Sequence, residues 1–489
     1  MSNTTPFFKA FGPLLFGSAP KKAVDNVRKI DSLERLYGLF GELIPNKLLD
    51  LEEKGVNSRD RSLPPRVTFW AFVAQVLSPG SSCRETVRKV EAWWRWIQKD
   101  RSGSISASAY AQARARLNKG NLALIAGQIA WRLERNENKE EHWLKGRRVK
   151  IVDGTTLSMP DTPANQSAWP QPGSQKPGLG FPQMKLVGLF SLGSGALLDH
   201  ATGDLHVHEN QLFRQMWDRL DRGDIILADR GFCSYGTLAN LTRRGIDGVM
   251  RLHHARKCDF GTGLKLGDDD RLMVWDKPLL APTAFSKEEF DALPATLSVR
   301  IIRLHVVTSG FRTRTVILAT TLLDPELYPA DAIRALYAER WNVELHFHQI
   351  KTLMALDVLR CKSPDLIEKE LLIHLIAYNL VRVLMQRSAH LYHVPLARIS
   401  FKGSLDTARH FADVIHAASA TPRKQQHLIN EMLSLIARDL LPERPGRSEP
   451  RTKKRRPKNF QLLTKSRAEM GNLPHRNRPS KKHPKLPLS

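Results

Sequence analysis

Residues Arg147–Gly154 read RRVKIVDG, and at this point the chain changes character. The run is short, branched and apolar, and it ends in an acid and a glycine. MKLVGLFSL (Met184–Leu192) and GALLDHAT (Gly195–Thr202) follow as strands joined around Gly193-Ser194-Gly195. Glu209–Leu220 reads as a helix. DIILADRGF (Asp224–Phe232) is a buried strand running into an acidic turn. SYGTLANLTRR (Ser234–Arg244) is a helix and GIDGVMRL (Gly245–Leu252) a further strand. The order is strand, strand, strand, helix, strand, helix, strand. A meander followed by two βαβ crossovers predicts an α/β fold with a mixed sheet covered by helices.

Upstream, residues from about Val27 to Arg135 carry helical periodicity, clearest in VTFWAFVAQVL (Val67–Leu77) and NLALIAGQIAWRL (Asn121–Leu133). Pro79-Gly80 interrupts it, and Ser81 or Ser82 is placed to cap CRETVRKVEAWWRWI (Cys83–Ile97). That helix mixes Arg84, Arg88, Lys89 and Arg95 with Trp93, Trp94 and Trp96, and Arg114 and Arg116 follow. Two readings stand: tryptophans in a core with a solvated charged face, or a helical DNA-end-binding domain over 1–145. Downstream, the core (146–252) gives way to a β-rich insertion at 253–330, with the acidic patch Asp268-Asp269-Asp270 and a hairpin turning at Ser309-Gly310. A long helix is expected from about Pro329 to Leu356, completing the core over 331–390. Further helices are expected at 364–388 and 404–440, the last within a C-terminal helical region at 391–445. The tail from 446 is rich in Pro, Lys and Arg and is expected to be disordered without a partner.

Composition narrows the partner. Of 489 residues, 75 are Lys or Arg and 49 Asp or Glu, a formal net charge of +26. Such a surplus repels itself in a compact state and points to a polyanion, with nucleic acid ahead of an anionic membrane surface. Pro450–Ser489 holds 13 of the basic residues and one acid, a net of +12, which leaves +14 on the rest. The body is therefore basic as well as the tail. Cys83, Cys233, Cys258 and Cys361 form no C-x-x-C, which speaks against a disulfide framework or a zinc knuckle and suits a reducing, cytoplasmic setting. The longest apolar run, Leu371–Met385, is broken by His374, Asn379 and Arg382 and is too polar to span a bilayer.

Asp153 and Asp229 occupy the same context, each following a hydrophobic run that ends in a glycine-bearing turn. Ligand sites of open α/β sheets gather at the carboxyl ends of strands, and two carboxylates there suit Mg²⁺; each could equally cap its own turn. The long helix supplies a third acid. In LYAERWNVELHFHQIK (Leu336–Lys351), Tyr337, Arg340, Glu344 and Lys351 fall within roughly 60° of one another at about 100° per residue. Val343, Phe347, Ile350 and Met354 occupy an adjacent sector that would pin the helix to the sheet. A carboxylate flanked by Arg, Lys and Tyr suits a metal beside a phosphate, although Arg340 and Glu344 could also form an ordinary i,i+4 pair.

These residues resemble the signature of DDE transposases of the insertion-sequence-four family, Y-x2-R-x3-E-x6-K, without a gap. The contexts Asp153-Gly154-Thr155 and Asp229-Arg230-Gly231-Phe232 match as well. The resemblance spans about residues 60 to 390. It implies an RNase-H-like core with a β-rich insertion, for which the 115 positions between Asp229 and Glu344 leave room. It implies catalytic, metal-binding roles for Asp153, Asp229 and Glu344 with two Mg²⁺ ions (or Mn²⁺), and DNA contacts from Tyr337, Arg340 and Lys351. It also implies double-stranded DNA as partner, both terminal inverted repeats and target, and a homodimer on that DNA, with the helices after 390 as candidate contact. Some members form a DNA hairpin with a base flipped onto a tryptophan shortly before the signature tyrosine. Here no Trp lies between Trp275 and Tyr337; Phe311 is the aromatic of the hairpin region, and Trp275 is a candidate from elsewhere in the insertion. His206-x-His208-Glu209 and His346-x-His348 are zinc candidates by residue type only. His348 lies on the polar stripe, and Trp341 beside it reads as a packing residue. A non-catalytic DNA-binding descendant and an RNase-H-like nuclease are the competing functional readings.

Overall fold

The computed structural model describes residues 44–50, 62–97, 105–138, 142–143, 146–253, 255–256, 258–281, 284–306, 314–417 and 421–442, with Lys465 and Glu469. Residues 1–43, the Ser309-Gly310 turn, Phe311 and almost all of the basic tail lie outside them. The chain divides into two compact units. One takes in the described residues of Met1–Asn136 and Leu372–Pro442, the other those of Glu137–Leu371 and Glu443–Ser489.

The helical unit begins with α1 (Pro65–Leu77), α2 (Cys83–Ile97), α3 (Ala107–Arg116) and α4 (Lys119–Arg135). α1 starts on Pro65, and capping explains the starts of the other three: Ser82 accepts from the Glu85 N–H, Ser106 from Ala109 and Asn118 from Asn121. Val67, Ala71, Val87, Val90, Tyr110 and Ala113 form its buried core, with Trp94 packed against them. Arg114 is a core cation, buried and seated over the rings of Phe72 at 4.7 Å and Tyr110 at 5.1 Å. It is therefore not a surface DNA contact. The side chains of Trp93 and Trp96 lie outside the described residues.

The second unit is built on β1 (Val149–Ser158), followed by the short α5 (Pro163–Ala168), β2 (Gln183–Ser191) and β3 (Leu197–Gly203). Then come α6 (Glu209–Arg214), β4 (Ile225–Ala228), α7 (Tyr235–Arg243) and β5 (Asp247–Arg251). The insertion adds β6 (Leu264–Gly267), β7 (Asp270–Asp276), α8 (Lys287–Asp291), β8 (Thr296–Val306) and β9 (Arg314–Thr320). All nine strands form one sheet, ordered β3-β2-β1-β4-β5-β9-β8-β7-β6. The meander β1–β2–β3 is antiparallel, while β1, β4 and β5 run parallel. This is the mixed α/β, RNase-H-like arrangement anticipated for the core. The insertion extends the same sheet, because β9 pairs antiparallel with the free edge of β5. Within it, Arg300 grips Asp270 by 2.9 and 2.5 Å hydrogen bonds, both side chains buried, which joins β8 to β7.

The long signature helix is not one regular helix. α9 (Ala330–Ala338) runs into a 3₁₀ turn (Glu339–Trp341), then α10 (Asn342–His348), then a π turn (Gln349–Leu353). Ala355 closes it with a left-handed φ of 57°. The packing sector holds: Val343, Phe347, Ile350 and Met354 are all buried. The uniform stripe does not, since Tyr337 is buried while Glu344 is exposed. Trp341 is 46% exposed, so it is not a packing residue. α11 (Pro364–Tyr392) is followed by α12 (Phe401–Ala417) and α13 (Pro422–Arg438) where one helix is expected. Pro422, at the first helical position of α13, is the residue that starts a helix readily and cannot continue one.

Candidate active site

Asp153 and Asp229 come together through strand register. β1 and β4 pair in parallel, with Val152 opposite Ala228 as the last rung. The residue after that rung is an aspartate on both strands. β4 stops there, whereas β1 runs on to Ser158 against β2. Asp153 is thus mid-strand rather than at a strand end, but the pairing with β4 has already ceased beside it. A buried ion pair fixes this register: Lys150 Nζ lies 2.7 Å from Asp224 at the start of β4 and donates to the Arg219 carbonyl at 2.7 Å.

Glu344 reaches the same place from α10 through a shared cation. The Arg340 guanidinium lies 3.5 Å from Asp153 Oδ2 and 3.4 Å from Glu344 Oε1. Lys351 spans back to β1, donating to Thr155 Oγ1 at 2.8 Å and to the Thr156 carbonyl at 3.0 Å. The π turn that carries it is a local widening of the kind often found at functional sites. Burial pushes the Tyr337 phenol upward, with Arg340 and Arg251 opposing and the Asp229 charge reinforcing that shift. All six residues singled out by sequence therefore gather where β4 ends beside the middle of β1.

A seventh group belongs with them. Glu209, the first residue of α6, sits so close to Gly154 that a Cβ there would lie 2.3 Å from its Oε1. Sequence reasoning placed it only in a weak histidine-rich motif. Among the described residues neither histidine motif is part of a group of three possible ligands, and His346 of the second is buried and stacked on Phe190 with centroids 5.3 Å apart.

Asp153 sits where an ionised carboxylate is disfavoured. The Asp153 carboxyl is raised to about 6, first by burial and further by the Glu209 and Asp229 charges, against the Gly154 N–H at 2.8 Å and Arg340. Among the described residues no three His, Cys, Asp or Glu side chains close around a common point. Arg340 occupies the position of a cation between two of them. The donor set is all carboxylate oxygen, and this fits a hard divalent ion.

Beside Asp229 opens a cleft of about 700 Å³ whose lining includes Arg230, Arg251, His253 and Arg256 against one acid, Asp259. Arg256 also covers Trp275, 4.0 Å from its ring centre, and Trp275 is buried. As it stands, that ring presents no open face for a flipped base. Among the described residues no helix is long and apolar enough to cross a membrane.

Comparison with known proteins agrees with this geometry. Residues 144–380 match the family described as Transposase DDE domain, and residues 36–125 match Insertion element 4 transposase N-terminal. The two matches together span more than half of the chain. The chain is 28% identical to the transposase InsG for insertion sequence element IS4 of Escherichia coli strain K12, over 91% of this chain and 98% of that protein. It is 37% identical over 73 residues to the transposase for insertion sequence element IS421 of Escherichia coli, which is 15% of this chain and 19% of that one. A matched pair of strand-borne aspartates, a glutamate on the helix signature and both family matches converge: the chain belongs to the insertion-sequence-four family of DDE transposases.

Proposed function

We propose that this transposase works by cut and paste, hydrolysing the 3′ strands at the terminal inverted repeats of its element and joining them to target DNA. The observation that carries the reading is that Asp153 and Asp229 follow the last β1–β4 rung side by side, while Arg340 bridges Asp153 to Glu344. We assign these three acids to hold two Mg²⁺ ions, with Mn²⁺ able to substitute. Bound there, divalent ions supply the charge that activates an attacking water or 3′-hydroxyl oxygen and stabilises the departing one.

The chain's own groups orient the DNA. Arg340 offers a forked guanidinium that suits phosphate oxygens as well as carboxylates, so it can turn from the acids to the backbone. Tyr337 adds a directed hydroxyl. Lys351 holds the helix to β1 and adds positive charge beside the scissile position. The arginine-lined cleft beside Asp229 extends the path of the strand. A homodimer pairing two ends, with contacts from the helices after 390, completes the arrangement, acting on DNA in the bacterial cytoplasm.

The test uses duplexes carrying the inverted repeats that flank the gene, incubated with full-length protein and Mg²⁺. Nicked 3′ ends and strand-transfer products are expected, and Asp153→Ala, Asp229→Ala or Glu344→Ala should abolish both while sparing end binding. Normal cleavage by any one of these variants refutes that residue's assignment. Cleavage without joining would turn the reading towards a nuclease.

A further inference from the structure

Glu209 is held over the site from both sides. Before it, Lys185 of β2 donates to the carbonyls of Leu205 at 3.2 Å and Val207 at 2.6 Å, fastening the approach to α6. After it, Asn210 Nδ2 donates to the Gly231 carbonyl at 2.7 Å, tying α6 to the turn that carries Asp229. Between these clamps the carboxylate points inward. Its Oε1 lies where a side chain at residue 154 would be, and its Oε2 is 3.7 Å from the position of a Cβ on Gly231. It therefore faces the residue after Asp153 and the residue two after Asp229. A glycine at 154 is what leaves room for it.

We propose that Glu209 is a fourth carboxylate of the metal centre, holding a divalent ion together with Asp153 and Asp229. The inference rests on the reading of those aspartates as metal ligands. A hard cation takes six or more oxygen ligands. An additional carboxylate from a separate element, on a side chain with three rotatable bonds, can close on an ion that also engages the two strands. Metal ligands and their supports typically change affinity by about ten- to a hundredfold when altered.

The test titrates full-length protein with Mn²⁺ in the absence of DNA, reading free Mn²⁺ by electron paramagnetic resonance. Glu209→Gln keeps the shape and removes the charge. Gly154→Ala keeps the charge and displaces the carboxylate, since the atom it would strike is the far end of a flexible side chain. Both should bind Mn²⁺ at least about tenfold more weakly while melting in EDTA no lower than the wild type. Wild-type Mn²⁺ affinity in Glu209→Gln overturns the proposal. Asp153→Asn is the control: if it loses Mn²⁺ and Glu209→Gln does not, only the role of Glu209 falls. If Asp153→Asn also binds Mn²⁺ normally, the metal reading of the aspartates falls with it.

Discussion

Asp153→Asn should stabilise the metal-free protein while destroying the site. The Asp153 carboxyl moves from 3.8 to about 6 in the fold. At about 1.4 kcal/mol per pH unit, keeping it ionised costs about 3 kcal/mol. Its side chain is only 24% exposed, so solvent relieves little of this. The sign follows from linkage: a carboxyl whose value is raised on folding binds its proton more tightly in the native state. The penalty is absent below the unfolded value of 3.8, grows as pH rises, and is complete above about 6. Asparagine carries no charge and can still accept from the Gly154 N–H. The 3.5 Å contact with Arg340, which it gives up, is already contained in that cost, because Arg340 holds the raised value down. The net expectation is a gain of about 3 kcal/mol near pH 8, shrinking to nothing near pH 4. Urea unfolding in EDTA at the two pH values measures it. Adding Mn²⁺ should raise the stability of the wild type and leave the variant unchanged, because only binding to the native state stabilises. A variant no more stable than wild type at the higher pH, in EDTA, would refute the claim that Asp153 is held charged at a cost.

Replacing Arg251 and Arg256 by alanine should weaken DNA binding at every sequence alike and flatten the log–log salt dependence by about two units, read by fluorescence anisotropy across a salt series. An unchanged slope would exclude the cleft from the DNA path. Lys150→Ala leaves Asp224 buried and unpaired and should cost about 3–5 kcal/mol in denaturant unfolding, whereas a loss under about 1 kcal/mol would mean the pair does not secure the register. Because Arg340 shares Asp153 and Glu344 with the ions, Ca²⁺ should tighten end binding by the wild type by freeing its guanidinium. Arg340→Ala should show no such gain; an equal gain in both would break the coupling.

What could be read in the sequence was whatever local pattern carries. The apolar runs before Asp153 and Asp229 announce buried strands, and the set Tyr337, Arg340, Glu344 and Lys351 stays together in space beside β1 even though its helix is irregular. The 3₁₀ turn at Glu339–Trp341 and the π turn at Gln349–Leu353 contain no Gly or Pro to betray them. They arise from tertiary packing, which buries Tyr337 and ties Lys351 to β1. β6 and β7 were illegible because their exposed, short alternation is completed only by β8, through Asp270 and Arg300. Arg114 was misread because a charge on a helix looks solvated until two aromatic rings enclose it. Glu209 is the instructive case. It stands 56 positions from Asp153 and 20 from Asp229, and no spacing rule joins the three. Only the parallel pairing of β1 with β4, and the clamps from Lys185 and Asn210, bring it there. The glycine after Asp153 looked like a turn residue in the sequence, but it lies within a strand, where its use is to leave space for a carboxylate. A small residue beside a strand acid is thus a cue to look for the distant side chain that fills the gap.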